Sequence, residues 1–339
     1  MSLKKSFRTI GAIVAVGAMS AACGGTKVGG EDDGGEWPGG SVEFVIPTAA
    51  GGALDTTFRQ VQPYIEEALG VPLAVEYREG GQFAIGTTYV ANEGQNCEPF
   101  MFHAIPDIIF SYKTQKVSYT YDDFYPVAGL SVEPSTLWVQ EDAPWETLDD
   151  FIEDARSRPG KITISVANLT NADHLAVVNL QDAADIEFNI VSYDGGGPAR
   201  NALIAGEVDG AMGGVFAGQT IASEARALTV FQDENEWPGL TDKAPAVNDV
   251  LGLDIPPIGG SFGFFASKEC HEEYPERFDK LADAVQKAVE SPEYRAALAE
   301  LSEESKLRYQ TPEEYNTFIE GEIKEISALL EERPELFGK

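Results

Sequence analysis

Three polar, glycine-rich turns are the parts of this sequence whose residue types best suit ligand binding. They are Ala49–Asp55, Asn168–His174 and Asp194–Ala199, and each joins a predicted strand to a predicted helix. The first N–H groups of a helix lack partners inside it and carry about half a positive charge. Because glycine lets a ligand approach the backbone, three such helix starts facing one cleft would bind a carboxylate without any arginine. Any one of these turns alone is also explained as an ordinary tight loop.

A second function class comes from Gly259–Gly263, which matches the Gly-x-Ser-x-Gly pattern of hydrolases. In that pattern the serine lies between a strand and a helix, and an acid and a histidine follow in order. Here Ser261 precedes a predicted strand, His271 is the only later histidine, and Glu269 is the only acid between them. The spacing therefore argues against an exported hydrolase. The chain also has no P-loop and no GxGxxG motif.

The composition excludes several other classes of protein. The chain has 339 residues, 43% of them hydrophobic, so it can bury real cores and is not disordered throughout. Lys and Arg total 24 against 56 Asp and Glu, a formal net charge of −32 that repels phosphate backbones and anionic lipids. We therefore expect no nucleic-acid partner. Three cysteines and three histidines leave little room for a metal cluster, and we expect no metal and no cofactor.

The N-terminus predicts export. Three basic residues precede the apolar stretch Ile10–Ala22, which is shorter than the about 20 residues that span a bilayer and typical of a signal peptide. The stretch ends at Cys23 in a sequence similar to a bacterial lipobox, although Ser20 stands where leucine is usual. We expect residues 1–22 to be a lipoprotein signal peptide. Lipidated Cys23 would then hold the protein at the outer face of the cell membrane or in the periplasm. An ordinary secretory signal with a chance cysteine is the alternative.

Residues 23–40 are rich in glycine and acidic side chains, with almost nothing to bury. They predict a flexible tether with a reach of about 20 Å. Removing residues 1–22 takes away three basic and no acidic residues, so the formal charge falls from −32 to −35. Salt screens such repulsion, which favours a saline habitat. An acidic protein from an ordinary habitat is the alternative.

The elements that must position the turns alternate between strands and helices, which predicts parallel α/β units. The first unit is predicted as strand Val42–Pro47, helix Leu54–Leu69, strand Leu73–Tyr77, helix Phe83–Asn92 and strand Phe100–His103. The second is predicted as strand Thr136–Gln140, helix Thr147–Ser157, strand Ile162–Ser165, helix Ala172–Ala184, strand Phe188–Tyr193, helix Ala199–Ala205 and strands Val208–Met212 and Ala227–Phe231. Pro198 is expected at the first helical position of its helix, where no N–H is needed.

The rest of the body is predicted as a last strand and two amphipathic helices. The strand is Ser261–Ser267, and the first helix carries the apolar face Phe278–Val289. The second helix opens with the capping box Thr311–Glu314 and continues to Leu330. Two similar α/β units, the first completed by these helices, predict two lobes with a cleft between them.

Five segments of the body match, in order, the sequence pattern of one family. They are Val45–Asp55, Trp145–Lys161, His174–Leu175, Tyr193–Ala199 and Leu203–Asp209. From Val42 to Leu330 the chain therefore resembles the substrate-binding receptors of tripartite tricarboxylate transporters, the Bug family.

The resemblance implies an α/β, two-lobed type II periplasmic-binding-protein fold with a ligand cleft between the lobes. The first lobe would comprise residues 41–126 plus 262–339, and the second residues 127–261. The lobes would close on a small organic carboxylate and present it to the membrane permease of a tripartite tricarboxylate transporter, with no catalysis. A receptor of the same fold that serves a signalling sensor is the alternative.

The resemblance also implies a set of ligand contacts, of which Asp55 is expected to brace its loop. The set is Thr48, Gly51, Gly52, Ala53, Asp55, His103, Ala104, Asn168, Thr170, His174, Tyr193, Gly196 and Gly197. The alternative for His103 is that its ring nitrogens form hydrogen bonds with backbone groups and do not contact a ligand. The sequence departs from the family at Thr48, at Ala167-Asn168 and at Gly213-Gly214, where Phe-Asp is frequent. The ligand is therefore expected to differ from citrate or an acidic amino acid.

The implied fold also predicts a disulfide bond. Cys97 and Cys270 remain once Cys23 is lipidated, and an even pair of cysteines in an exported protein usually cross-links. Cys97 precedes the third strand and Cys270 follows the last strand, and the implied fold places these strands side by side. Two buried free thiols are the alternative.

Overall fold

The computed structural model describes residues 37–252 and 254–334. The predicted signal peptide, the predicted lipidation site at Cys23 and most of the predicted tether lie outside these residues. Within the described ranges, no helix is long and apolar enough to cross a membrane.

The described chain alternates between strands and helices, as predicted. Its first elements are β1 (Val42–Ile46), α1 (Ala53–Leu69), β2 (Leu73–Tyr77), α2 (Ala84–Glu93), β3 (Phe100–Ile105), α3 (Asp107–Thr114), β4 (Phe124–Gln140), α4 (Leu148–Ser157) and β5 (Thr163–Val166). They are followed by α5 (Ala172–Ala184), β6 (Asn189–Ser192), α6 (Gly196–Ile204), β7 (Gly210–Gly214), β8 (Ala225–Val230), α7 (Val247–Leu251) and β9 (Gly259–Ser267). The last elements are α8 (Lys268–Glu273), α9 (Pro275–Glu290), α10 (Pro292–Glu300), β10 (Leu307–Gln310) and α11 (Pro312–Glu332).

Local signals in the sequence explain where several helices begin and end. Helix α1 ends at Gly70, whose φ of +75° suits glycine. Helix α11 begins with the predicted capping box, in which Thr311 and Glu314 each accept a hydrogen bond from the other's backbone N–H. Helix α6 differs from the prediction because it begins at Gly196. Pro198 is therefore its third residue, where the missing N–H again costs no intrahelical bond.

One long strand joins the two halves of the sheet. Strand β4 pairs antiparallel with β9 from Phe124 to Pro134, and then with β7 and β8 from Ser135 to Gln140. On one side, β1 lies parallel between β2 and β3, and β9 is antiparallel to β3. On the other side, β5 lies parallel between β6 and β7. The predicted α/β architecture, with two halves joined by crossing strands, is confirmed.

The two halves of the sheet have separate hydrophobic cores. Phe44, Phe58 and Phe264 are fully buried in the first core, where α1 and α9 cover the sheet. Phe151 and Leu180 are fully buried in the second core. Each half of the sheet therefore buries its own apolar side chains. The residue limits of the lobes given above stay a prediction.

The predicted disulfide is present in the structure. Cys97 and Cys270 are bonded, and both residues are fully buried. The bond forms because β3 and β9 are antiparallel neighbours, as the implied fold required, so the residues before one and after the other meet. The bond closes a loop over a sequence separation of 173 residues.

Replacing both cysteines by alanine is expected to lower the free energy of unfolding by about 2–4 kcal/mol, since the bond restricts the unfolded chain. Urea denaturation of this variant and of its parent, both carrying Cys23→Ser, measures the difference. Mass spectrometry after denaturation and alkylation without reductant is the check on the parent. Labelling of both remaining cysteines would contradict the disulfide.

Candidate functional site

A cavity of about 60 Å³ lies where the starts of α1, α5 and α6 meet the strands that join the lobes. A water molecule needs about 10–15 Å³, so the cavity suits a small ligand. The lining residues are Thr48, Gly52, Ala53, Leu54, Phe83, Asp107, Glu133, Ala167, Asn171, Ala172, Asp173, Gly196, Arg200, Gly213, Gly214, Gly260 and Phe262.

The starts of α1 and α6 lie against each other at this cavity. A Cβ atom built on Gly52 would lie 3.5 Å from the backbone nitrogen of Gly196 and 3.8 Å from that of Gly197. A Cβ atom on Gly197 would lie 3.0 Å from the carbonyl oxygen of Ala50. Neither helix has a side-chain cap, so the N–H groups of both first turns are available to an anion.

The start of α5 is different, because side chains of the protein already accept hydrogen bonds from its first N–H groups. The side-chain oxygen of Asn171 accepts a hydrogen bond from the N–H of His174 at 2.9 Å. A carboxylate oxygen of Asp107 accepts one from the N–H of Ala172 at 3.2 Å. Of the three helix starts singled out in the sequence, two are therefore open to a ligand in the described structure.

The lobes contact each other directly around the cavity. Arg200, in α6, donates from Nη2 to the carbonyl oxygen of Gly51 at 2.7 Å. The N–H of Ala49 and the hydroxyl of Thr48 both donate to the carbonyl oxygen of Asp194, at 3.0 and 3.3 Å. The structure therefore shows the lobes closed on each other.

Arg200 is a cavity residue that the sequence prediction missed. It is only 4% exposed, and no arginine was expected at the ligand. A sequence signal did exist, because Arg200 follows the Gly-Gly-Gly-Pro-Ala turn by one residue. A helical side chain leans back over the preceding turn, so Arg200 at this position points to the start of its own helix.

Three carboxyl groups line the same cavity and were also missed. Glu133 lies in β4, and its Oε1 atom accepts hydrogen bonds from the N–H groups of Phe216 at 2.8 Å and Ala217 at 3.1 Å. Asp107 and Asp173 lie in the first turns of α3 and α5. These side chains come together only when β4 crosses between the lobes, so no local pattern could identify them.

Burial makes the three carboxyl groups harder to ionise. It raises the pKa of Glu133 to about 7, although Lys306, the two backbone N–H groups and Arg200 act in the opposite direction. Burial also raises the pKa of Asp107 well above its usual range, and the nearby Asp173 adds to this rise. Burial raises the pKa of Asp173 as well.

Gly213-Gly214 has a physical explanation in this arrangement. A Cβ atom built on Gly214 would overlap the carboxyl group of Glu133, whereas one on Gly213 would have nothing within 4 Å. Gly214 therefore leaves the space that the Glu133 side chain occupies.

Four of the ligand contacts implied by the resemblance line the cavity: Thr48, Gly52, Ala53 and Gly196. The others lie outside its wall: Gly51, Asp55, His103, Ala104, Asn168, Thr170, His174, Tyr193 and Gly197. Several of them brace the loops that form the cavity. Asp55 accepts hydrogen bonds from the N–H of Gly51 at 2.7 Å and the hydroxyl of Tyr77 at 2.5 Å. Asn168 accepts one from the N–H of Thr170 at 2.8 Å.

The two predicted histidines are buried beside the cavity. The ring of His103 packs edge-on against Phe83, a lining residue, at 4.9 Å between centroids. Burial lowers the pKa of His103 to about 3 and that of His174 to about 4, so both side chains are neutral. The structure thus gives His103 a supporting position behind the wall.

The hydrolase alternative fails on the position of Ser261. This residue lies inside β9, and its carbonyl oxygen accepts a hydrogen bond from the hydroxyl of Tyr315 at 2.9 Å. The pattern requires its serine at a turn from a strand into a helix. In the described ranges, no three His, Cys, Asp or Glu side chains are grouped so as to hold a metal ion.

Comparisons with known proteins identify the family and the two-lobed periplasmic-binding-protein fold. Residues 57–334 match the model of the tripartite tricarboxylate transporter family receptor. A protein encoded in the tcbD–tcbE intergenic region of Pseudomonas sp. strain P51 is 28% identical over 268 residues, which is 78% of each chain. Two solved structures have the same fold. Rpa4515 of R. palustris with adipate has a TM-score of 0.78 at 23% identity, covering 87% of this chain and 98% of the other. MatC of Rhodopseudomonas palustris with bound malate has a TM-score of 0.74 at 22% identity. The match covers 85% of this chain and 98% of the MatC chain.

The variant Glu133→Gln tests the buried carboxyl group through the pH dependence of stability. The folded state holds the Glu133 proton up to a pH of about 7, above the ordinary value of 4.5. This contribution to stability is therefore complete below pH 4.5 and is lost as the pH rises through 7. When the pH rises from about 5 to about 8, the free energy of unfolding measured in urea should fall more in the parent protein than in the variant. Asp107 and Asp173 titrate in both proteins. If the free energy of unfolding therefore changes with pH in the same way in both, the raised pKa of Glu133 is contradicted.

Proposed function

The chain belongs to the tripartite tricarboxylate transporter receptor family, and on this premise we propose that it delivers a small organic carboxylate to a transporter permease. Members of this family are solute-binding receptors rather than enzymes. The ligand would bind outside the cytoplasm, in the cavity between the lobes, and closure of the lobes would form the surface that the permease recognises.

The observation that carries this proposal is the meeting of two open helix starts across the cavity. One belongs to α1 on the first half of the sheet and the other to α6 on the second half. A carboxylate that accepts hydrogen bonds from both starts binds the closed form more tightly than the open form, and so favours closure. The adipate and malate in the two solved relatives support a carboxylate as the ligand.

The strands that join the lobes supply the hinge. Strands β4 and β9 run side by side from one half of the sheet to the other. At the crossing, a Cβ atom built on Gly259 would lie 2.8 Å from the carbonyl oxygen of Glu133. A glycine is therefore needed at this point of the crossing. Since Glu133 also lines the cavity, the hinge and the ligand site share a residue.

We also propose that Cys23 carries a lipid that holds the receptor at the outer face of the cell membrane. The lipobox-like sequence supports this, and the Cys97–Cys270 disulfide suits an exported protein. Mass spectrometry of the N-terminal peptide from native membranes should find a diacylated Cys23. An unmodified residue there would contradict the anchor.

Calorimetric titration of the mature protein with adipate, malate, citrate and small monocarboxylates tests the receptor function. At least one of them should bind, and the radius of gyration in X-ray scattering should fall when it does. The variant Gly197→Val should weaken binding by about tenfold or more, because its side chain would hold Ala50 and the start of α1 away from α6.

Gly239→Val is the matched control, since Gly239 is exposed and a Cβ atom there would have nothing within 4 Å. It should bind like the parent protein. A folded parent that binds none of these carboxylates would contradict the proposal, and so would a Gly197→Val variant with unchanged affinity.

A further inference from the structure

The segment between β2 and α2 has a backbone conformation that is unusual for its residue types. Residues 80–83 all have positive φ, and the last two are Gln82 at +52° and Phe83 at +73°. A bulky side chain rarely adopts this left-handed region, which glycine enters without strain. Residues held in this way occur frequently at ligand sites, where the surrounding structure fixes them. The conformation of Phe83 therefore points to a role for its side chain.

The backbone of Phe83 is fixed by α2, the helix that it precedes. Its carbonyl oxygen accepts hydrogen bonds from the N–H and the hydroxyl of Thr87, at 3.1 and 2.9 Å. A Cβ atom built on Gly86 would lie 2.8 Å from both the carbonyl oxygen of Arg78 and Cβ of Pro47. The first turn of α2 thus lies tightly against the ends of β1 and β2, and it holds Phe83 in place.

The ring of Phe83 lies between the cavity and His103. Phe83 is 5% exposed and lines the cavity. Its ring also packs edge-on against the ring of His103, at 4.9 Å between centroids. His103 is fully buried and is not a lining residue. Removing the Phe83 ring would therefore leave a space that borders both the cavity and the His103 ring.

The His103 ring has a hydrogen-bond donor that is not used within the described ranges. Its Nδ1 atom accepts a hydrogen bond from the N–H of Ala104 at 2.7 Å, which places the ring proton on Nε2. That Nε2 atom is buried and has no hydrogen-bond partner among the described residues. A buried N–H without an acceptor costs free energy, so a ligand oxygen that reached it would gain a hydrogen bond.

We propose that Phe83 is a specificity-determining residue, which keeps a second ligand carboxylate from the Nε2–H group of His103. This proposal rests on the proposed function of the cavity. A carboxylate that approaches the wall at Phe83 meets an apolar ring and loses its hydration without gaining a donor. Phe83 thus favours a ligand with an apolar remainder over a dicarboxylate of the same length.

The variant Phe83→Ala tests this proposal with adipate and hexanoate, two acids of equal chain length. Only adipate has a second carboxylate, so the ratio of the two dissociation constants reports on that group. Titration calorimetry of the mature protein should show the ratio shifting towards adipate by about tenfold or more in the variant, because a buried N–H then donates to a carboxylate. An acid that binds too weakly for direct titration is measured by displacement of the carboxylate that binds the parent protein.

Three further variants separate the role of Phe83 from general damage. Gln82→Ala is the matched control, because Gln82 has the same left-handed conformation but does not line the cavity. It should leave the ratio at the parent value. Adding His103→Leu to Phe83→Ala removes the donor and should abolish the shift. If thermal melts show Phe83→Ala to be unfolded, Phe83→Leu keeps an apolar side chain in the wall and should shift the ratio in the same direction.

The outcomes distinguish this proposal from the proposed function. A ratio that stays at the parent value in the folded Phe83 variant would overturn the role of Phe83 and leave the receptor function intact. A shift that persists after His103→Leu would do the same. If the parent protein binds no carboxylate of the wider panel, the proposed function fails, and the role of Phe83 fails with it.

Discussion

The close approach of two helix starts is the constraint on which the rest of the structure depends. Helices α1 and α6 meet end to end at Gly52, Gly196 and Gly197, and side chains at these positions would occupy the space between them. Because the backbones come this close, Arg200 reaches the carbonyl oxygen of Gly51 across the cleft. The same approach leaves two sets of unpaired N–H groups facing one small cavity. The same approach of α1 to α6 therefore both brings the lobes together and forms the proposed anion site.

The local electrostatics of the cavity differ from those of the whole protein. A formal charge of −32 repels an approaching anion, yet the proposed anion site consists of fixed backbone dipoles and one buried guanidinium. These groups act at short range in a buried environment, where their interactions are stronger than those of screened surface charges. The buried carboxyl group of Glu133 partly offsets the charge of Arg200. The crossing strand β4 thus contributes both to the joining of the two halves and to the cavity wall.

Elements with local signals could be predicted from the sequence, and elements that need distant partners could not. Helix α11 was predicted from its capping box, and the Cys97–Cys270 bond followed from the order of strands in the implied fold. Only Thr136–Gln140 of β4 was predicted, because the first part of that strand is stabilised by pairing with β9, far along the chain.

The same distinction applies to the cavity. The glycine turns predicted Gly52 and Gly196, since turn chemistry is visible in the sequence. Asp107 and Glu133 carry no such signal, because their role depends on burial between lobes. The sequence predicted an open start for α5, but a carboxylate oxygen of Asp107, at the start of α3, accepts a hydrogen bond from the N–H of Ala172 there.

A crystal structure of the mature protein with its ligand bound tests the central claim most directly. We predict closed lobes, with one ligand carboxylate within hydrogen-bonding distance of the first backbone N–H groups of both α1 and α6. A ligand bound at one lobe alone, or one whose carboxylate contacts neither helix start, would contradict the account.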